Sequence, residues 1–189
     1  MPIVVVIGGP NGAGKTTLAE AIVWQGYGIA EFVNADTIAR GLSEYAPGDV
    51  AFAAGRLMLE RLAELAAEGV DFAFETTLAS RTFAHWIEGR KAEGYEFHLH
   101  YVFVEDPEVS INRVAKRVAA GGHHVPDDIV RRRWGRSIAN FFYLYQPLAD
   151  QWKVYDNSTD RRTIAADAGG GIQVYDERVW KQFTDAAGR

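Results

Sequence analysis

The chain of 189 residues has no cysteine, only six prolines and two methionines, and no apolar run that approaches a membrane span. The lack of cysteine excludes a disulfide scaffold, a thiolate zinc site and a thiol nucleophile. A membrane-crossing helix needs roughly 18–20 consecutive apolar residues. The N-terminal Met1-Pro-Ile-Val-Val-Val-Ile7 ends far short of that, at Gly8-Gly9-Pro10. It also lacks the basic start and small-residue cleavage site of a secretory signal, so a cytoplasmic location is expected. Positive charge is not in excess either: 20 Lys and Arg stand against 25 Asp and Glu, a net charge of −5. Nucleic-acid binders ordinarily carry a basic excess, so neither nucleic acid nor a membrane is an expected partner. The remaining balance, 48% apolar and 24% charged, is that of a globular protein. The length fits a single domain over residues 1–189.

Short β-branched runs alternate with longer helical ones. Strands are expected at 3–7, 28–33, 70–74, 97–104 and 152–155, with 172–175 a candidate sixth. Helices are expected at 15–24, 49–68, 80–93, 106–120, from Pro126 onward, and at 177–185. Asp106-Pro107 supplies an acidic cap and a first-turn proline. Ile138, Phe141, Tyr145 and Leu148 recur at helical spacing and mark one buried face. This alternation predicts an α/β protein with a doubly wound, mostly parallel sheet of about five strands. Ligands of such sheets bind at the C-terminal strand ends, which directs attention to residues 8–17, 34–36 and 75–77.

Gly9-Pro10-Asn11-Gly12-Ala13-Gly14-Lys15-Thr16 matches G-x-x-x-x-G-K-[ST] between an apolar strand and a helix, and Thr17 follows. Its glycines let backbone N–H groups curl around phosphate oxygens, and the helix N-terminus adds partial positive charge. Lys15 is placed to reach β- and γ-phosphates, and the Thr16 hydroxyl to hold Mg²⁺. The expected cofactors are therefore ATP and Mg²⁺. A GTPase would add an early DxxG and an NKxD. NKxD is absent, and DxxG strings begin only at Asp167 and Asp185. An ABC-type LSGGQ string is also absent. A small kinase-like module remains, with a P-loop NTPase/kinase fold and a helical lid expected.

Such a module needs an acceptor site. Asp36, in Asn34-Ala-Asp36 at a strand end, suits a base that takes or orients a hydroxyl proton; it also suits a helix cap. Glu75-Thr76-Thr77 suits a polar substrate, a capping box, or Walker-B-like use of Glu75 on Mg²⁺, a role open to Asp36 as well. Arg113, Lys116 and Arg117 precede Gly121-Gly122, and Arg131-Arg132-Arg133 and Arg136 follow. This reads as a lid at about 113–136 hinged at the glycines, or as a solvated basic face. His98 and His100 share a strand face and are read as solvent-side or packing residues, because no third ligand is near in sequence. Trp86, Trp134, Trp152 and Trp180 are read as packing residues.

Five strings carry a resemblance to the zeta-toxin family of P-loop kinases: residues 8–17 (GGPNGAGKTT), 34–39 (NADTIA), 74–79 (FETTLA), 117–126 (RVAAGGHHVP) and 155–158 (YDNS). The resemblance implies phosphorylation of a nucleotide sugar, typically the 3′-hydroxyl of UDP-N-acetylglucosamine, and an antitoxin protein as partner. By position it implies Asp36 as catalytic base, Lys15 and Thr16 as ATP and Mg²⁺ residues, Glu75 and Thr77 as substrate-binding residues, and Arg117 as a γ-phosphate arginine. The long toxins carry a second arginine just before the lid proline, where this chain has His123-His124, and they extend further at the C-terminus. The chain therefore resembles a short branch, with Arg131 or Arg132 to supply the missing charge; Arg132 is taken as catalytic. A kinase of another metabolite or antibiotic, and a non-catalytic nucleotide-binding module, are the alternatives.

Overall fold

The computed structural model describes residues 1–42, 50–122 and 124–189; the expected helix start at Asp49, and His123, lie outside them. Five parallel strands form the centre: β1 (Ile3–Gly8), β2 (Phe32–Asn34), β3 (Phe72–Thr76), β4 (Glu96–Phe103) and β5 (Gln151–Asp156). β6 (Arg162–Asp167) and β7 (Gln173–Val174) continue the sheet antiparallel. The order is β2-β3-β1-β4-β5-β6-β7.

β1 shows how the layers arise. Its side chains alternate, so Val4 and Val6 face one layer while Val5 and Ile7 face the other. Every one of the four is fully buried, as expected of a strand covered on both sides. Under Val4 and Val6 pack α3 (Val50–Glu68), α4 (Thr82–Ala92), α6 (Asp127–Asn140) and α7 (Glu177–Ala186). The expected Ile138, Phe141, Tyr145 face is buried there, and Phe183 of α7 closes an aromatic cluster with Phe141 and Phe142. Trp86, Trp134 and Trp180 pack against that core, and Trp152 is part of it. Over Val5 and Ile7 lies α1 (Lys15–Ala19), which continues as a π-helix over Glu20–Tyr27. α5 (Pro107–Ala119) packs beside it, with Asp106 capping its first turn and Pro107 opening it.

Two expectations need correction, and one open alternative is decided. The second strand is Phe32–Asn34, not 28–33: Gly28, in the left-handed region at φ 68°, caps the preceding helix, and Ile29 N–H donates to Val23 O. Arg162–Asp167 was not expected as a strand. Its Ile164 and Ala165 are buried in succession, and alanine carries little strand signal. The two histidines, read as solvent-side or packing, are packing residues. His98 and His100 are buried, and Tyr27 hydroxyl bridges them at 2.9 Å from His98 Nδ1 and 3.0 Å from His100 Nε2.

Candidate active site

The parallel order β2-β3-β1-β4-β5 brings the C-terminal ends of β1, β2 and β3 together. The loop after β1 turns sharply at Gly9, Gly12 and Gly14, all at positive φ. Space is tight as well: a Cβ on Gly9 would come 2.5 Å from Val102 O, and one on Gly12 2.6 Å from Ser110 O. Ala13 N–H donates back to Pro10 O at 3.2 Å, closing the loop on itself. The first turn of α1 then offers N–H groups with no intrahelical partner, which suits an anion.

Three side chains from two elements, α1 and β2, meet on Glu75 at the end of β3. Lys15 Nζ lies 3.6 Å from Oε1 and donates to Pro10 O at 3.0 Å. Thr16 hydroxyl donates to Oε2 at 2.8 Å, and Asn34 Nδ2 donates to the same oxygen at 3.1 Å. Lys15 and Glu75 are 7% and 11% exposed, so their attraction is little screened. At an effective dielectric near 20 it is on the order of 4 kcal/mol, offset in part by desolvation. Burial pulls the Lys15 pKa down from its ordinary value; Glu75 and Asp36 oppose this, and Arg117 adds to it. Asp36 and Arg117 are thus near enough to be felt at Lys15.

Asn34 has a second task. Its Oδ1 accepts from Asp36 N at 2.8 Å and Thr37 N at 3.4 Å, and so caps α2 (Ala35–Leu42). The cap is therefore Asn34, and the Asp36 carboxylate is released to the first helical turn. It is exposed and meets Arg117 Nη1 through Oδ2 at 3.5 Å. Arg117 owes its place to the end of α5: Gly122 N–H donates to Arg117 O and Gly121 N–H to Val118 O, with Gly121 at φ 87°. That pattern stops a helix in a Schellman-type turn.

The other residues singled out in the sequence are less closely gathered. Thr77 is half-buried, and its hydroxyl accepts from Ala79 N at 3.4 Å. Leu78, next to it, is buried in the left-handed region at φ 56°, a costly place for leucine. Asn140 Nδ2 donates to its carbonyl at 2.7 Å, and the Leu78 side chain packs on Gly8. Arg131 is committed to Glu108 at 2.8 Å. Arg132 is exposed on α6, with no ion-pair partner among the described residues. Arg133, read from the sequence only as a member of the basic lid cluster, reaches Asn11 Oδ1 at 3.4 Å. Thr17 is exposed at the helix start. A groove of about 240 Å³ runs from Thr16 and Asn34 down to Trp24 and Phe32.

Asn157 and Arg113 also belong to the loop. Asn157 Nδ2 donates to Ala13 O at 2.7 Å, and Arg113 Nη2 to Asn157 O at 2.8 Å. Asn157 lay in one of the family strings, and Arg113 in the basic cluster read as a lid; the structure sets Arg113 against the loop and the 157–158 backbone. The Thr16 hydroxyl on the Glu75 carboxylate presents oxygen ligands to a cation beside the loop. That set suits Mg²⁺, which favours hydroxyl, carboxylate and water oxygens. Among the described residues no helix is long and apolar enough to cross a membrane.

A glycine-rich loop between β1 and α1, a lysine and threonine on a strand-end carboxylate, and the five-strand parallel order define a P-loop kinase fold. Within that class, residues 1–179 match the Zeta toxin family profile, and the chain belongs to that family. It is 27% identical over 126 residues to an uncharacterised Haemophilus influenzae protein, covering 67% of this chain and 88% of that one. AvrRxo1-ORF1, solved with ORF2 and ATP, superposes with a TM-score of 0.80 at 17% identity over 97% of this chain. The chain spans 64% of that protein's length. A structure from the PezAT toxin-antitoxin system of Streptococcus pneumoniae superposes with a TM-score of 0.71 at 18% identity, covering 97% of this chain and 77% of that one.

Proposed function

We propose that the protein is an ATP-dependent kinase that transfers the γ-phosphoryl group to a sugar hydroxyl of a nucleotide sugar, with UDP-N-acetylglucosamine as acceptor. The observation that carries this reading is the convergence of Lys15, Thr16 and Asn34 on Glu75 beneath the glycine loop, with Asp36 exposed nearby. The loop N–H groups and Lys15 hold the phosphates. Thr16, with Glu75 behind it, holds Mg²⁺, which when bound supplies charge neutralisation on the phosphoryl oxygens. The acceptor oxygen attacks the γ-phosphorus and the bond to the β-phosphate oxygen breaks. ADP leaves, and the hydroxyl proton passes to the Asp36 carboxylate.

Arg117 turns from Asp36 to the γ-phosphate, where a guanidinium stabilises the charge of the transferring group. Arg132 supports the same charge from α6, and α5 and α6 act together as a lid. Thr77 contacts the acceptor. The Glu75 geometry favours its support of the metal site over direct sugar binding, because both its oxygens already face Lys15, Thr16 and Asn34. An antitoxin that covers this site in the cytoplasm is the expected protein partner, as the PezAT neighbour suggests by its own pairing.

The test is incubation with ATP, Mg²⁺ and a panel of nucleotide sugars, followed by mass analysis. One added phosphate on UDP-N-acetylglucosamine, absent with Lys15→Ala, is the expected result. Phosphate on a different acceptor alone would retain the kinase and reject the substrate. ATP binding without transfer to any acceptor would reject both.

A further inference from the structure

The carbonyl groups of the phosphate loop are held from outside. Asn157 lies just past β5, half-buried, and its Nδ2 donates to Ala13 O at 2.7 Å. Asn157 is itself fixed at two points. Its N–H donates to Phe103 O of β4 at 2.9 Å. Its carbonyl accepts from Arg113 Nη2 at 2.8 Å, and the same nitrogen reaches Ser158 O at 3.2 Å. Arg113 Nη1 extends the brace to Gly12 O at 3.5 Å.

The planarity of the peptide gives this brace a consequence. In a trans peptide the C=O and N–H point in opposite directions. With Ala13 O turned outward to Asn157, the Gly14 N–H is turned to the inner side of the loop. Gly14 has φ 94° and no Cβ, so nothing local prevents this peptide from flipping. Its neighbour gives no help, because Ala13 N–H is spent on Pro10 O. A Cβ on Gly14 would fall on the Asn157 amide, which shows how closely the two are apposed.

We infer that Asn157 is a positioning residue for the triphosphate: its amide locks the 13–14 peptide with the Gly14 N–H facing the phosphates, and Arg113 holds Asn157 in place. This rests on the reading of the loop as an ATP site. Neither residue is assigned a contact with the acceptor.

Asn157→Asp keeps the shape and replaces the donor by an oxygen that repels Ala13 O. Asn157→Ala removes the group. Arg113→Lys loosens the brace while the amide remains. For each full chain, KM for ATP, KM for acceptor, ATP Kd and the unfolding midpoint are measured. Loss of one such hydrogen bond to an ordered peptide corresponds to roughly a tenfold change. The expected result is therefore at least a roughly tenfold rise in ATP KM and Kd for Asn157→Asp, with acceptor KM within about twofold. Arg113→Lys should shift ATP in the same direction by less.

A purely structural role would lower the midpoint and leave ATP KM where it was. Wild-type ATP affinity in both Asn157→Asp and Asn157→Ala overturns the inference. If Asn157→Asp does not fold, Asn157→Ala and Arg113→Lys decide it by the same criterion. A wild-type chain that fails to bind ATP at all would sink the kinase reading, and this proposal with it.

Discussion

On the loop side of the site, Lys15 and Glu75 are 7% and 11% exposed, and every polar group named there has a partner. Across the cleft, Asp36 and Arg117 are 62% and 40% exposed, and Arg117 reaches the carboxylate at the 3.5 Å limit of a hydrogen bond. The first region is assembled before any ligand arrives. The second is exposed, so water competes for its ion pair, which is worth little in stability. The difference fits the proposed chemistry: the triphosphate meets a buried cradle, whereas the residues proposed around the transferred group are exposed to solvent.

The largest effect should come from the fixed side. Lys15→Ala removes the buried cation and leaves Glu75 without its ion pair; phosphoryl transfer should fall by roughly 10³-fold. Transfer measured at saturating acceptor checks this, and a drop smaller than tenfold would break the comparison. Asp36→Asn, on the exposed side, should reduce transfer by about 10²-fold yet leave ATP affinity and the unfolding midpoint near wild type. Calorimetric titration of ATP alongside the rate separates the two effects.

A third effect concerns stability rather than rate. Burial, then the charges of Lys153 and His98, lowers His100 from 6.5 to about 3, with Tyr27 and Tyr155 hydroxyls on its two ring nitrogens. The unfolded chain takes up this proton below pH 6.5 and the folded chain resists it to about pH 3. Stability is therefore full above pH 6.5 and declines as pH falls through that window, by about 2 kcal/mol near pH 5. Denaturant melts should show the slope, and His100→Gln should flatten it. The smallest effect is expected from Arg131→Ala. Its pair with Glu108 is half exposed on both sides, so stability should change by under about 1 kcal/mol and transfer by under about twofold.

Much of the loop side was legible in the sequence because its constraints are local. The glycines at 9, 12 and 14, Lys15 and Thr16 follow one another in a pattern whose backbone demands are stringent. The strand runs were legible where both faces are buried, as in Val4 to Ile7. The reach of Asn157 to Ala13, 144 residues apart, depends on β5 lying beside β4, and no local pattern encodes it. The same holds for Arg133: its neighbours Arg131 and Arg132 carry the same charge, and only the pitch of α6 decides which one meets Asn11. The π-helix after α1 left no mark, because its wider turn changes no composition. Asn34 took the cap from Asp36 for a geometric reason. It is the last residue of β2, and its side chain reaches N–H groups two and three residues on.

The most direct measurement is a crystal structure of the protein with a non-hydrolysable ATP analogue and Mg²⁺. The account predicts phosphates within the loop of residues 9–17, that loop and Glu75 shifted by less than about 1 Å, and Arg117 moved from Asp36 to the γ-phosphate. An analogue bound elsewhere, a loop that must be rebuilt to admit it, or Arg117 still on Asp36 would contradict it.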